Sequence, residues 1–524
     1  MAKQDSLGTH PWREIELSLA GENITGNPYT DVEAWIDFQH SDGSVLRRPA
    51  FWDGGTLWKV RFASPRAEGT WTWQSHANVA GKSLAGNEGR ITVQPAEGGE
   101  PNELLRHGFW RMSRGGRNLV HADGTAALVV ADTAWALPWR ATPEQCRRYA
   151  EVRQNQGFNA ALLMTVQPDM KAVGPRDRTA DLGFAVGFTD LPEGRLTQLN
   201  PAYFQEFDEL VGILLDHGIV PIYQPVFHGY GWKGLKAAGG RVPPEDYARY
   251  CRYLVARYGA RPAIYVVGGD GKGDLPGIDM GGQEIETWDC YQQPAGNHYC
   301  PHSTSRAFQD RDWLDFQWCQ TGHGGDHLPE RVADMWRNQP IKGVANGEPS
   351  YERMQGRDQA SGWWQGHEAW CNLCAGGTMG VFYGAGSLWQ WKLHPDEPGH
   401  AVWCCDPTAG WEEALHFEGA RYVGAVGKIL RDLPFTDMAP TWDFTLGGRA
   451  LAVPDQFFLL YLEKRGSQQI LDARVPRNYT EFDPRTGLIV STGVLPDSGA
   501  KIENDTDDPR VYVFVNRAEG GVGS

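Results

Sequence analysis

No run of about 18 apolar residues occurs in this 524-residue chain, so no membrane-spanning helix is expected. The opening residues, Met1-Ala2-Lys3-Gln4-Asp5-Ser6, lack the apolar stretch of a secretory leader, and a cytoplasmic location is the expectation that follows. Positive charge is scarce: 49 Lys and Arg against 65 Asp and Glu leave a net charge of −16. Such a surface disfavours nucleic acid and anionic membrane as partners. The cysteines number nine, an odd count without a repeating interval, which favours reduced, buried thiols over a disulfide such as one between Cys290 and Cys300. Cys371-x-x-Cys374 has a metal-like interval but no second CxxC, and Cys404-Cys405 is a poor substitute. No HExxH spacing occurs, and neither a metal nor a cofactor is expected. A phosphate loop is missing too: 268–273 is glycine-rich but lacks the GxxxxGK[ST] spacing.

Tryptophan is what the chain has in abundance, 22 residues. Indoles fill cores, and they also make flat platforms against which sugar rings stack. The length calls for two or three domains. Residues 10–97 read as all-β, with short alternating segments at 31–38, 56–62 and 70–74 separated by Gly/Asp/Ser turns. Residues 95–101 read as a linker. From about 105 strands and helices alternate, the mark of a parallel sheet. Strands are expected at 126–131, 160–164, 219–227, 263–267, 314–319, 343–346 and 379–383. Thr142-Pro143-Glu144-Gln145 and Asn200-Pro201 announce helix starts, and Tyr247, Tyr250, Cys251, Leu254 and Tyr258 mark a third helix ended by Gly259. Only seven strands are convincing. The fifth of an eight-stranded barrel falls between about 275 and 310, where 284–288 is the weak candidate. Beyond 436 the pattern is β again, with strands at 457–462 and 510–515 and a turn at 483–487. The expected layout is an α/β (β/α)₈ barrel over 101–435, between an N-terminal β-sandwich (1–100) and a small C-terminal β-sandwich (436–524); a doubly wound open sheet is the runner-up.

Two carboxylates sit where such a barrel does its chemistry, at the carboxyl ends of strands. One is Asp270 in Val267-Gly268-Gly269-Asp270; the other is Glu348 in Asn346-Gly347-Glu348-Pro349. Glycoside hydrolysis needs such a pair, one acid to protonate the leaving oxygen and one to attack or to activate water. Glu352, farther past the strand end, is the rival to Glu348 and reads as a supporting carboxylate.

Asp132-Thr133-Ala134-Trp135, Val267-Gly268-Gly269-Asp270, Gln320-Thr321-Gly322-His323, Asn346-Gly347-Glu348-Pro349-x-Tyr351-Glu352 and Phe482-Asp483-Pro484-Arg485-Thr486-Gly487 together resemble the apiosidase-like glycoside hydrolases, over nearly the whole chain. The resemblance implies a β-sandwich, a catalytic barrel and a C-terminal β-domain. It implies a retaining exo-glycosidase with the strand-four Asp270 as acid/base and the strand-seven Glu348 as nucleophile. The region 275–310, with Trp288, Tyr291, His298 and Tyr299, departs from the family pattern, so specificity for apiose does not carry over.

Sugar-binding candidates at the strand ends are Asp132 and Gln167 for hydroxyls, His228 and Tyr230 after the third strand, His323 after the sixth, Tyr351, and Trp135, Trp389 and Trp391 for stacking. The loops at about 168–200, 228–243 and 271–312 are long enough to wall a pocket, with Trp232, Trp288, Tyr291 and Tyr299 closing over one terminal sugar. The competing readings are a non-catalytic carbohydrate-binding barrel, and a transglycosidase or lyase on the same scaffold. Oligomeric state is not legible.

Overall fold

The computed structural model describes residues 7–22, 24–79, 83–167, 186–229, 238–299, 305–322, 329–354, 361–397, 406–441, 449–496 and 499–516. Its centre is a barrel of eight parallel strands: β1 Val129–Thr133, β2 Ala160–Met164, β3 Val220–Gln224, β4 Ile264–Gly271, β5 Ala295–Tyr299, β6 Phe316–Gln320, β7 Gly343–Glu348 and β8 Gly380–Tyr383. Each pairs with the next in parallel from β1 to β7, and β8 pairs with β1. Met379 N donates to Val344 O at 3.1 Å and draws β8 against β7, so the sheet nearly closes. Among the described residues, seven helices of eight residues or more surround it: α1 Pro143–Gln156, α2 Pro201–Asp216, α3 Pro244–Tyr258, α4 Pro276–Trp288, α5 Pro329–Trp336, α6 Trp363–Cys374 and α7 Gly419–Leu430. Between β5 and β6 no helix occurs among the described residues.

Local chemistry explains the boundaries. Thr142 and Gln145 form a reciprocal capping box at the start of α1, with Pro143 at the first helical position, where its missing N–H costs nothing. Asn200 caps α2 by accepting from Ala202 N at 3.2 Å. The apolar face of α2, with Phe204, Phe207, Leu210 and Leu214, is buried against the barrel. α3 ends at Gly259.

The fifth strand corrects the sequence reading. Residues 284–288 close helix α4, and the strand is Ala295-Gly296-Asn297-His298-Tyr299. Strand propensity is weak there because β-branched residues are missing. Sterics decide instead: a Cβ on Gly296 would collide with the ring of Phe316 on β6, so this strand is made of small and polar residues packed between two larger neighbours.

N-terminal to the barrel, a five-stranded sheet (Leu7–Thr9, Glu88–Val93, Gly69–Ala77, Ala34–His40, Val45–Pro49) faces a three-stranded one (Glu14–Ala20, Leu57–Ala63, Phe51–Trp52). Ile36, Phe38, Trp58, Val60, Phe62 and Trp71 fill the space between them. Residues 28–31, at the front of the first expected strand, are a helical turn capped by Asn27. Two buried arginines join this sandwich to the barrel. Arg48 Nη2 donates to Val255 O at 2.8 Å and Arg61 Nη1 to Arg257 O at 2.7 Å, both carbonyls in the last turn of α3. Arg61 and Arg257 share the carboxylate of Asp208 on α2.

C-terminal to the barrel a six-stranded antiparallel sheet contains the two expected strands, Phe457–Leu462 and Arg510–Val515, paired with each other. Its Tyr461 hydroxyl lies 3.0 Å from His367 Nδ1 on α6. In the expected turn Gly487 adopts φ +76° while its N–H returns to Asp483 O at 2.8 Å. Among the described residues no helix is long and apolar enough to cross a membrane.

Candidate active site

β4 delivers Asp270 through an irregular end: its register with β5 breaks twice, between Val266 and Gly268 and between Gly268 and Gly271. Asp270 takes a left-handed backbone, φ +52°, rare for a residue with a side chain. The flanking glycines make this geometry possible. A Cβ at 269 would collide with the Gln224 amide, and one at 229 would collide with Asp270 Oδ2. Asp270 Oδ1 is buried and has no hydrogen-bond partner. Burial, and secondarily the charge of Glu348, raise the Asp270 pKa well above the usual carboxylate range. The shift favours the carboxylic acid over the carboxylate.

Glu348 ends β7, where a second irregularity between Cys319 and Gln320 brings Gln320 into register with it. His298, on β5, places Nε2 3.4 Å from Glu348 Oε2. Behind Glu348, the Asn346 amide lies 2.8 Å from Thr321 Oγ1, Thr321 Oγ1 lies 3.0 Å from Glu368 Oε1, and Ser350 N donates to Glu368 Oε2 at 3.1 Å. This buried chain ties the ends of β6 and β7 to α6. Both acids thus stand at one end of the barrel, close enough for one to feel the other's charge.

Trp135 is nearly buried; its ring meets Phe227 at 5.0 Å and Trp389 at 5.5 Å, both roughly edge to face. Trp389 is half-buried and lies 6.3 Å from Tyr351, giving a partly open aromatic wall. His228 is half-buried against the β4 end, with Nδ1 3.5 Å from Gly269 N; desolvation pushes its pKa down to about 4. Gln167 is buried three residues beyond β2. Tyr230, Trp232, His323 and Cys300 lie outside the described residues.

Two candidates face away from this end. Asp132 sits on the outer side of β1, fully buried, with Oδ2 2.7 Å from Arg153 Nε on α1. Because side chains alternate along a strand, Thr133 rather than Asp132 shares the lumen side with Ala131. Trp391 is fully buried, stacked on Trp411 at 4.6 Å and donating to Gln145 Oε1 at 3.1 Å; it is a core residue. Nor do the aromatics of 275–310 close over a sugar. Trp288 packs under Arg252, Tyr291 exchanges hydrogen bonds with Ala63 of the N-terminal sandwich, and Tyr299 is buried with its hydroxyl donating to Ala307 O at 2.8 Å. Glu352 is buried and occupied by Tyr383 OH (2.6 Å) and Gly419 N (3.0 Å), so it supports the fold rather than the chemistry. Cys290 is a free thiol, and Cys371 and Cys374 are buried free thiols on α6.

Three polar side chains at the strand ends were not among the site residues proposed from the sequence: Gln224 on β3, His298 on β5 and Gln320 on β6, each more than nine-tenths buried. Gln224 and Gln320 each close an apolar strand, the same signal that singled out the acids. His298 offered none, because its strand was itself illegible.

The family model described as "Apiosidase-like, catalytic domain" matches residues 113–437, and one for a domain of unknown function (DUF5060) matches 8–78. No curated protein matches the chain. Among solved structures, a glycoside hydrolase superposes with TM-score 0.65 at 20% identity, over 78% of this chain and 97% of its own. A family 5 glycoside hydrolase from Bacteroides vulgatus ATCC 8482 gives 0.63 at 19%, over 78% and 94%. Another protein of that organism gives 0.71 at 18%, over 98% and 100%. At these identities the likeness is one of fold. The catalytic-domain model spans more than half of the chain, and on that ground the protein belongs to the apiosidase-like family and is a glycoside hydrolase acting on carbohydrate.

Proposed function

We propose that the enzyme is a retaining, exo-acting glycosidase in which Asp270 is the acid/base and Glu348 the nucleophile. The observation that carries this assignment is the state of Asp270: a buried oxygen without a partner, and a carboxyl held protonated by burial and by the charge of Glu348. In the first step the Asp270 proton passes to the glycosidic oxygen, the bond from the anomeric carbon to that oxygen breaks, and Glu348 forms an ester to the anomeric carbon. Ester formation removes the Glu348 charge, so Asp270 becomes more acidic as it gives up its proton. In the second step water attacks the anomeric carbon, its proton goes to Asp270, and Glu348 leaves as carboxylate. His298, with Nε2 3.4 Å from Glu348 Oε2, is placed to orient that carboxylate. Exo action rests on the length of the connections 168–200 and 228–243, which follow β2 and β3 in the chain. Buried free thiols suit a reducing cytoplasm, where short glycosides are the available substrates.

Glu348→Ala tests the assignment. It should fold normally, lose nearly all turnover of p-nitrophenyl glycosides, and yield with azide a glycosyl azide of inverted anomeric configuration. Near-normal turnover would reject Glu348. Proton NMR of the first wild-type product tests retention, and a ladder of internal fragments from a polymer would reject exo action.

A further inference from the structure

Gln224 closes β3 and Gln320 closes β6, one strand before each acid-bearing strand. The Trp135 indole N–H donates to Gln224 Oε1 at 3.4 Å, which fixes the amide's orientation and leaves Nε2 as the free donor. That Nε2 is buried, has no hydrogen-bond partner and lies against Gly269, the residue before Asp270. Gln320 is in register with Glu348, and its Oε1 is likewise buried without a partner. Buried amide atoms left unmet are costly, and a functional site is where such a cost persists.

We propose that Gln224 and Gln320 read the hydroxyls of the bound sugar, a role that rests on the glycosidase reading above. Gln224 Nε2 donates to one ring hydroxyl on the acid side, and a second hydroxyl donates to Gln320 Oε1 on the nucleophile side. Neutral amides call for a neutral furanose or pyranose with both hydroxyls free, not one capped by an ester or ether. Gly269 is then a specificity element: it admits the Gln224 amide to the acid side of the site.

The test uses wild type, Gln224→Met and Gln320→Met on the p-nitrophenyl glycoside turned over fastest in a panel of furanosides and pyranosides, and on its monodeoxy analogues. Each variant should lose about 10–100-fold in kcat/KM on the parent. For each glutamine one deoxy substrate should exist on which variant and wild type run alike. A loss under about two-fold, or one that is equal on every deoxy substrate, overturns the proposal; Gln224 would then only seat Trp135. If Gln224→Met does not fold, Gln224→Leu, which also removes the amide, takes its place. Calorimetric titration with the corresponding free monosaccharides reads the pair without turnover. Wild-type binding that weakens at least ten-fold in the variants supports the pair even if no glycoside is cleaved, which would reject the glycosidase reading alone. Equal affinities, or no binding to wild type, overturn it.

Discussion

Replacing Asp132 with Asn should weaken the fold and leave catalysis per folded molecule unchanged. Asp132 and Arg153 are both fully buried, 2.7 Å apart, between β1 and α1. Arg153 also donates to Leu415 O at 2.9 Å and lies within 5.1–5.8 Å of the rings of Phe158, Tyr383 and Tyr149. Asn keeps the volume but removes the charge that offsets the guanidinium. Removing one partner of a buried pair costs about 3–5 kcal/mol, against about 0–1 kcal/mol for an exposed one. The charge of Glu352 also reaches Arg153, which sets the expectation near the lower end, about 3 kcal/mol or roughly 10²-fold in the folding equilibrium. Urea denaturation of Asp132→Asn, Arg153→Met and the double variant Asp132→Leu/Arg153→Met, with kcat/KM in parallel, forms the assay. The double variant should recover most of the loss, since no charge is left stranded. An Asp132→Asn protein with an unchanged midpoint and a collapsed kcat/KM would refute this reasoning and restore Asp132 as a sugar ligand.

Asp270→Asn should behave in the opposite way. Because the folded pKa is raised above the unfolded value, the folded state binds the proton more tightly, and Asp270 costs stability as pH rises from the ordinary carboxylate value through the raised one. The variant should thus denature later than wild type at neutral and alkaline pH and alike at acid pH, while turnover of poor leaving groups falls about 10²–10⁴-fold and that of activated aryl glycosides much less. An unchanged midpoint at every pH would count against the raised pKa. Trp389→Ala should raise KM at little cost in stability, whereas Trp391→Ala should lose about 3–5 kcal/mol with KM unchanged in the folded fraction, read by denaturation and steady-state kinetics. A reversal of those two results would exchange their roles.

Seven barrel strands were legible because each is a short apolar run bounded by turn residues, and the starts of α1 and α2 because Thr142 and Asn200 carry their own caps. β5 was not, since what holds Ala295-Gly296-Asn297 is the bulk of Phe316 on the neighbouring strand, a fact of packing with no local trace. The acids were readable from their place at strand ends. Asp132 misled for the same reason: it stands one residue before the end of β1, and a shift of one position along a strand turns a side chain from lumen to helix layer. Trp391 misled because an indole in a core and one on a sugar platform are the same letter. The aromatics after β4 were assigned to the pocket because their loop was; only the fold shows α4 carrying Trp288, with Tyr291 close behind it, back toward the N-terminal sandwich.

The arginines that cross from that sandwich have a further meaning. Two carbonyls in the last turn of α3 accept from side chains encoded some two hundred residues earlier: that of Arg257 from Arg61, and that of Val255, which the Gly259 N–H also meets at 2.9 Å, from Arg48. The sandwich is thereby part of the barrel's wall, and the first hundred residues are a finishing piece of the catalytic unit rather than a passenger. Excised at the borders of its family match, the barrel would keep Arg257 and Asp208 but expose them to water, together with the frayed end of α3.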